Sequence, residues 1–323
     1  MSTKQMATLQ DVLRLATNNP ALRKTNRALV ALSFLSIYLI WCSTYLAIRY
    51  AVETIPPLYT AGFRHLIAGL ILLIWCYLKG LRPSAAQIRA SIVVGFFFFL
   101  VGHGLLHWAE TRVPSGLASL LIAIEPIFVF ALSAAAARRW RMNLPLASGV
   151  VLGLAGVGVL MGQSALAQGS GMLVGSAAVL AGALGWSIGI VYSRRSQLSG
   201  SPLLLSALSL LAGAVMLIGT GTLVGEWRGF SFTQVSARSW EALAYLIVFG
   251  SVIAFTAYNW LMEHYSPTLV ATHTYINPIV AVLLGWWMAG ESLTMALLAS
   301  TVLVISAVIL VDRGMARLNE PQH

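Results

Sequence analysis

Charge is scarce in this sequence. Asp, Glu, Lys and Arg together make up 9% of 323 residues, where a soluble domain carries about 25%. A surface wetted by water cannot be built from so few charges, so a soluble globular fold is excluded. Cysteine is nearly absent. Cys42 and Cys76 both lie in apolar stretches, which rules out a disulfide framework and any Cys-based metal spacing. The sequence also has no HExxH, no GxSxG and no pair of aspartates of the intramembrane-protease kind, so no enzyme is expected. It has no ATP-binding motif, and no cofactor is called for.

Long apolar runs fill the space that charge leaves. Apolar residues make up 58% of the chain, and a bilayer core takes about 20 of them per helix. The runs predict an all-α polytopic membrane protein with ten spans, at 29–48, 57–78, 89–110, 113–136, 145–162, 170–192, 202–223, 242–262, 267–288 and 293–311. The first 28 residues are polar, with Lys4, Arg14, Arg23, Lys24 and Arg27. No small-residue cleavage site follows the first apolar run, so that run is expected to stay as a helix.

The net charge of +10 invites a nucleic-acid reading, which the placement of the charges removes. Lys and Arg gather on the cytoplasmic side of membrane proteins. With the N-terminus inside, Arg49, Arg112, Arg228 and Arg238 fall outside and Arg64 lies within a span. The other fifteen of the 20 basic residues fall inside. Both termini are therefore expected in the cytoplasm of a cell inner membrane, with the lipid bilayer and not nucleic acid as the counter-charge.

The chain also repeats itself. His107–Pro126 aligns with Asn259–Pro278 at an offset of 152, pairing Trp108 with Trp260, Leu117 with Leu269 and Pro126 with Pro278. An offset of 145 pairs Trp41 with Trp186, Arg49 with Arg194 and Pro57 with Pro202. Spans one to five thus match spans six to ten. Tandem copies of an odd-numbered unit must sit upside down relative to each other, so the fold expected is two inverted five-helix repeats, the architecture of alternating-access carriers. The organisation predicted is an N-terminal tail (1–28), a first repeat (29–162), a second (163–312) and a C-terminal tail (313–323).

Several strings resemble one known group: Trp41-Cys-Ser-Thr-Tyr-Leu-Ala-Ile-Arg49 followed by Ile55-Pro-Pro57, Val113-Pro-Ser-Gly-Leu-Ala118, and Tyr275–Gly285 followed by Gly290-Glu291. Together they resemble the EamA-type members of the drug/metabolite transporter superfamily, most nearly the YedA-like exporters. The resemblance covers Arg27 to Asp312. It implies ten spans, two EamA repeats, cytoplasmic termini and export of small metabolites. One departure stands out: the Gly-Glu that ends the fourth span in the family is Arg138-Arg139 here.

Ionisable groups inside spans are costly and mark function. Glu125 lies near the middle of span four, before Pro126, and suits recognition of an amine or proton coupling. Its repeat mate is Asn277. Pro126 and Pro278 cannot donate to the carbonyls of Ile122 and Thr274, so each is a candidate hinge. His103, His107 and Glu110 share one face of span three. That stripe fits a wet cavity, a proton relay, a packed hydrogen-bonded array or, least well, a metal ion. Asn259, the mate of His107, and His273 are expected to face inward with Asn277. Trp41, Tyr45 and Trp186 fit either cavity lining or core packing. Arg64 is expected to snorkel outward, with capture of a substrate carboxylate as the alternative. Trp140, Trp227 and Trp240 read as interface anchors. The glycines of span five (Gly149, Gly153, Gly156, Gly158 and Gly162) read as close helix packing.

The function expected is a secondary transporter that exports a small organic metabolite or drug between the two halves, lined by spans one, three, four, six, eight and nine. The alternatives are a metal-ion carrier and a membrane-embedded receptor without transport. A small-molecule substrate is the expected partner, and association as a homodimer is left open.

Overall fold

The computed structural model describes residues 27–138, 140–167, 170–196, 201–265, 270 and 272–319. The tail up to residue 26, Arg139, most of the loop before span nine and residues 320–323 lie outside the described residues. All the regular structure described is helical. Among the described residues, nine helices are long and apolar enough to cross a membrane: α1 (Ala28–Ala51), α2 (Pro57–Leu78), α3 (Ala85–Ala109), α4 (Ser115–Ala137), α5 (Leu144–Gly162), α6 (Ser170–Ser196), α7 (Pro202–Leu223), α8 (Ala237–Leu261) and α10 (Met295–Leu318). The tenth, α9 (His273–Ala289), has 17 residues as described. The face that carries the start of α1 and the end of α10 is called proximal here, and the other distal.

The inverted repeat shows directly in how equivalent helices pack. α2 and α7 lie side by side and antiparallel. Tyr59 bonds Thr222, while Gly62 abuts Ile218 and Gly69 abuts Leu211. The outer pair α5 and α10 does the same, Gly149 lying against Val311, Gly153 against Ala307 and Gly156 against Val304. Equivalent elements that run in opposite senses can only belong to halves inverted across the bilayer. Between these outer pairs, α1 packs on α8 and α9, and α6 packs on α3 and α4, with α4 against α9 at the centre. Exchanging the halves maps each of these contacts onto another.

The structure revises several expected boundaries. α8 starts at Ala237, five residues earlier than hydropathy suggests, because Ser236 caps it through Ser239 N–H. α10 runs on past residue 311, as a helix reaching Asn319. Span four is two helices, Ser115–Ile122 and Glu125–Ala137, with Pro126 in the first turn of the second. Its repeat mate Pro278 sits inside an uninterrupted helix, so the two candidate hinges are not alike. Gly158 and Gly162 meet nothing within 4 Å, and only the other three glycines of α5 form a helix contact.

Three stretches are π-helical: Ser36–Ile40 in α1, Phe96–His103 in α3 and Leu246–Ile253 in α8. The last two overlap at the repeat offset of 152. Such bulges widen the helix and re-aim the side chains after it, and they gather at functional sites.

Candidate functional site

The seam between the halves is built from matched contacts. Trp41 meets Phe255 with ring centroids 5.8 Å apart, and its mate Trp186 stacks on His103, the mate of Phe255, at 5.1 Å. Cys42 Sγ lies 3.0 Å from Asn277 Oδ1. At the mated positions, Ser187 Oγ lies 3.4 Å from the backbone oxygen of Glu125. Sequence reasoning passed over Cys42 and Ser187. Their signal was two small hydrogen-bonding residues at the repeat offset, each beside a tryptophan.

On the proximal side the seam holds a half-buried aromatic box. Trp41 lies 5.2 Å from Tyr258 and 5.0 Å from His273, and Tyr258 lies 6.2 Å from His273. The Trp41 indole N–H donates to Gly250 O at 3.2 Å, which fixes the plane of the ring. Glu125 opens the second segment of α4, where the helix dipole favours an acid. Its carboxyl acts electrostatically on the hydroxyls of Tyr45 and Tyr258, and Arg194 is a cation within electrostatic reach of it. Glu125, Tyr45, Trp41, Tyr258, His273 and Asn277 are all partly exposed. An acid beside several aromatic faces can hold an organic cation by charge and by cation–π contact.

A second cluster lies on the distal side and is closed. His65 and His103 share a hydrogen bond of 2.8 Å between ring nitrogens. His107 Nδ1 donates to His103 O at 2.7 Å, leaving Nε2 as its acceptor nitrogen. His107 and Glu110 are fully buried, and Arg49 bonds the backbone oxygen of Glu110. Asn259, the mate of His107, is buried and donates to Phe255 O at 2.8 Å.

Arg64 does not snorkel. It is 3% exposed, and its Nε donates to Ser251 Oγ at 2.8 Å. Gly250 makes room for it: a Cβ there would lie 3.3 Å from Arg64 Nη2. The repeat mates of Arg64 and His65 are Ser209 and Leu210, so this charged cluster belongs to one half only. Among the described residues no three His, Cys, Asp or Glu side chains converge on a metal position. In the stripe on α3, the Nδ1 atoms of both His103 and His107 are already occupied. Trp140, Trp227 and Trp240 are exposed near helix ends.

Comparison with known proteins decides the family. The sequence pattern of the EamA-like transporter family matches residues 28–162 and again residues 173–312. The chain belongs to the EamA-like transporter family. It is 35% identical over 282 residues to the inner membrane transporter YedA of Escherichia coli K12, covering 86% of this chain and 89% of YedA. It is 26% identical to the Bacillus subtilis transporter YoaV, over 87% of this chain and 96% of that one. A solved crystal structure with 22% identity superposes with a TM-score of 0.61, covering 91% of this chain and all of the other, and shows the same fold. The two EamA repeats are thus the two halves whose helices pack antiparallel.

Proposed function

We propose that this EamA-like protein is a secondary transporter that exports a small organic compound by alternating access, with the substrate held between the halves at Glu125. The observation that carries the reading is the placement of Glu125. It is a partly exposed acid at a break in a membrane helix, within electrostatic reach of the Tyr45 and Tyr258 hydroxyls, which come from the two halves of the inverted repeat. An ionisable group at that depth is costly and marks function. The site favours a compound with a protonated amine and an apolar or aromatic body, such as an amino-acid-like metabolite or an amphipathic drug. The same carboxyl can exchange a proton for the substrate, which would make the carrier an antiporter.

Inversion underlies the mechanism. Each half can take up the conformation of the other, so states open to either face lie close in energy. With both termini in the cytoplasm, as the charge distribution favours, the Glu125 site lies toward the face from which an exported compound loads. The distal half of α4, by contrast, is buried at every residue from Ser115 to Leu121.

The test has two arms. A growth and resistance screen with and without expression selects the compound, and counterflow of that compound in proteoliposomes then measures transport. Saturable flux of chemically unchanged compound is expected, and binding without flux would leave a receptor. Tags placed at Arg138–Arg141 and at Gly290–Ser292 should report opposite sides, the first cytoplasmic. Both on one side would sink the proposal.

A further inference from the structure

The two halves share the same helix endings but not the same chemistry at them. α7 ends in Gly225 at φ 83°, and Glu226 N–H turns back to Gly221 O at 2.9 Å. Its counterpart α2 ends in Gly80 at φ 77°, and Leu81 N–H turns back to Cys76 O at 3.0 Å. α9 ends in Gly290 at φ 66°, followed by Glu291. Its counterpart α4 ends in Arg138 at φ 52°, followed in sequence by Arg139. Arg138 keeps the left-handed turn without being glycine, against the usual preference at that position. The turn is therefore kept in all four places, while the residue after it is Glu twice in the second half, and Leu and Arg in the first.

Both glutamates reach across the seam. Glu291 Oε1 accepts from Ser115 N–H at 2.7 Å and from its hydroxyl at 2.8 Å, and Oε2 accepts from Gly116 N–H at 3.0 Å. Glu226 accepts from Leu58 N–H through both oxygens, at 3.1 and 3.2 Å, and from Tyr59 N–H at 3.2 Å. Half-burial pushes the Glu226 carboxyl up, and those N–H groups pull it back down. Each acid belongs to the second half and occupies the open N-terminal turn of a first-half helix, where charge-assisted bonds and the helix dipole act together. Glycine is required for one of these approaches: a Cβ at Gly285 would collide with Glu291 Oε2.

We infer that Glu226 and Glu291 are paired latches that hold the distal face shut. The inference rests on the alternating-access reading and adds a direction to it. The two states are not of equal energy in this chain. At rest the distal face is closed, and opening it requires both carboxylates to leave their helix ends. Glu226 and Glu291 are positioning residues.

Accessibility of introduced cysteines tests this in membranes without substrate. Val282 is 5% exposed and lies against Gly116 in the latched seam, so Val282→Cys reports distal opening. Tyr258→Cys reports the proximal side of the seam. Cys42 and Cys76 are both 0% exposed, and labelling without a reporter sets the background. With both glutamates changed to Gln, a membrane-impermeant maleimide should label Val282→Cys faster by about tenfold or more, as the closed population is released. Labelling of Tyr258→Cys should fall in the same membranes. Unchanged rates at both reporters, or a rise at both as in local unfolding, would overturn the latch. If the double variant does not fold, Glu226→Gln and Glu291→Gln singly should each give the same opposed shifts, smaller in size. Failure of the transport reading appears separately, as absence of counterflow in wild-type proteoliposomes whose labelling still responds to the glutamates.

Discussion

Glu125→Gln is expected to abolish export of whichever compound the wild-type protein moves, with the protein still made and folded at normal levels. Glutamine keeps the shape and the hydrogen-bonding reach but cannot carry charge. Loss of one charge-assisted contact costs about 1.5–3 kcal/mol, or roughly ten- to a hundredfold in affinity. Loss of this titratable carboxyl, which acts on both Tyr45 and Tyr258, should also remove any dependence of flux on a proton gradient. Counterflow in proteoliposomes at two pH values measures both, and wild-type flux with wild-type pH dependence would take Glu125 out of the mechanism. Folding should survive because the contact that ties this point of α4 to α6 runs from Ser187 to the Glu125 backbone oxygen, which the substitution leaves in place.

Gly149→Leu is expected to disrupt the fold itself, and Gly158→Leu to be silent. A Cβ on Gly149 would lie 2.8 Å from Ala307 O and 2.9 Å from Val311 N. Both are backbone atoms of α10 and cannot swing aside, so the helices must part. Overpacking of this kind costs roughly 1–3 kcal/mol or more, and Leu is far larger than the Cβ alone. Gly158 sits on the same helix with nothing within 4 Å of a Cβ, where a leucine simply meets lipid. Thermal stability in detergent, followed by size-exclusion chromatography, should show a clear fall for the first variant and little change for the second. Equal behaviour would mean that α5 and α10 do not pack as described.

The glycines show where sequence reasoning reaches and where it stops. A run of small residues in an apolar span announces close packing, and Gly149, Gly153 and Gly156 do pack. The sequence does not say which face of the helix meets a neighbour, so Gly158 and Gly162 read the same as the other three. Arg64 shows the same limit. A cation one turn inside a span normally reaches back to the interface. It stays buried here because Gly250 and Ser251, nearly two hundred residues away, supply the room and the hydrogen bond. The two prolines were equivalent as letters, yet only Pro126 lies at a helix break.

The sequence by itself determined that the chain lives in lipid, that it crosses about ten times, and that it is one odd-numbered unit used twice. In a bilayer each helix must satisfy its own backbone hydrogen bonds, so hydropathy marks the spans one by one, and the parity of the count compels inversion. Only the tertiary structure decided which side chains meet across the seam: Cys42 with Asn277, Arg64 with Ser251, Glu226 and Glu291 with the ends of α2 and α4. Lipid is as apolar as the helices it surrounds, so lateral packing rests on fit between small surfaces and on a few polar contacts. Those partners lie far apart along the chain, and no local pattern announces them.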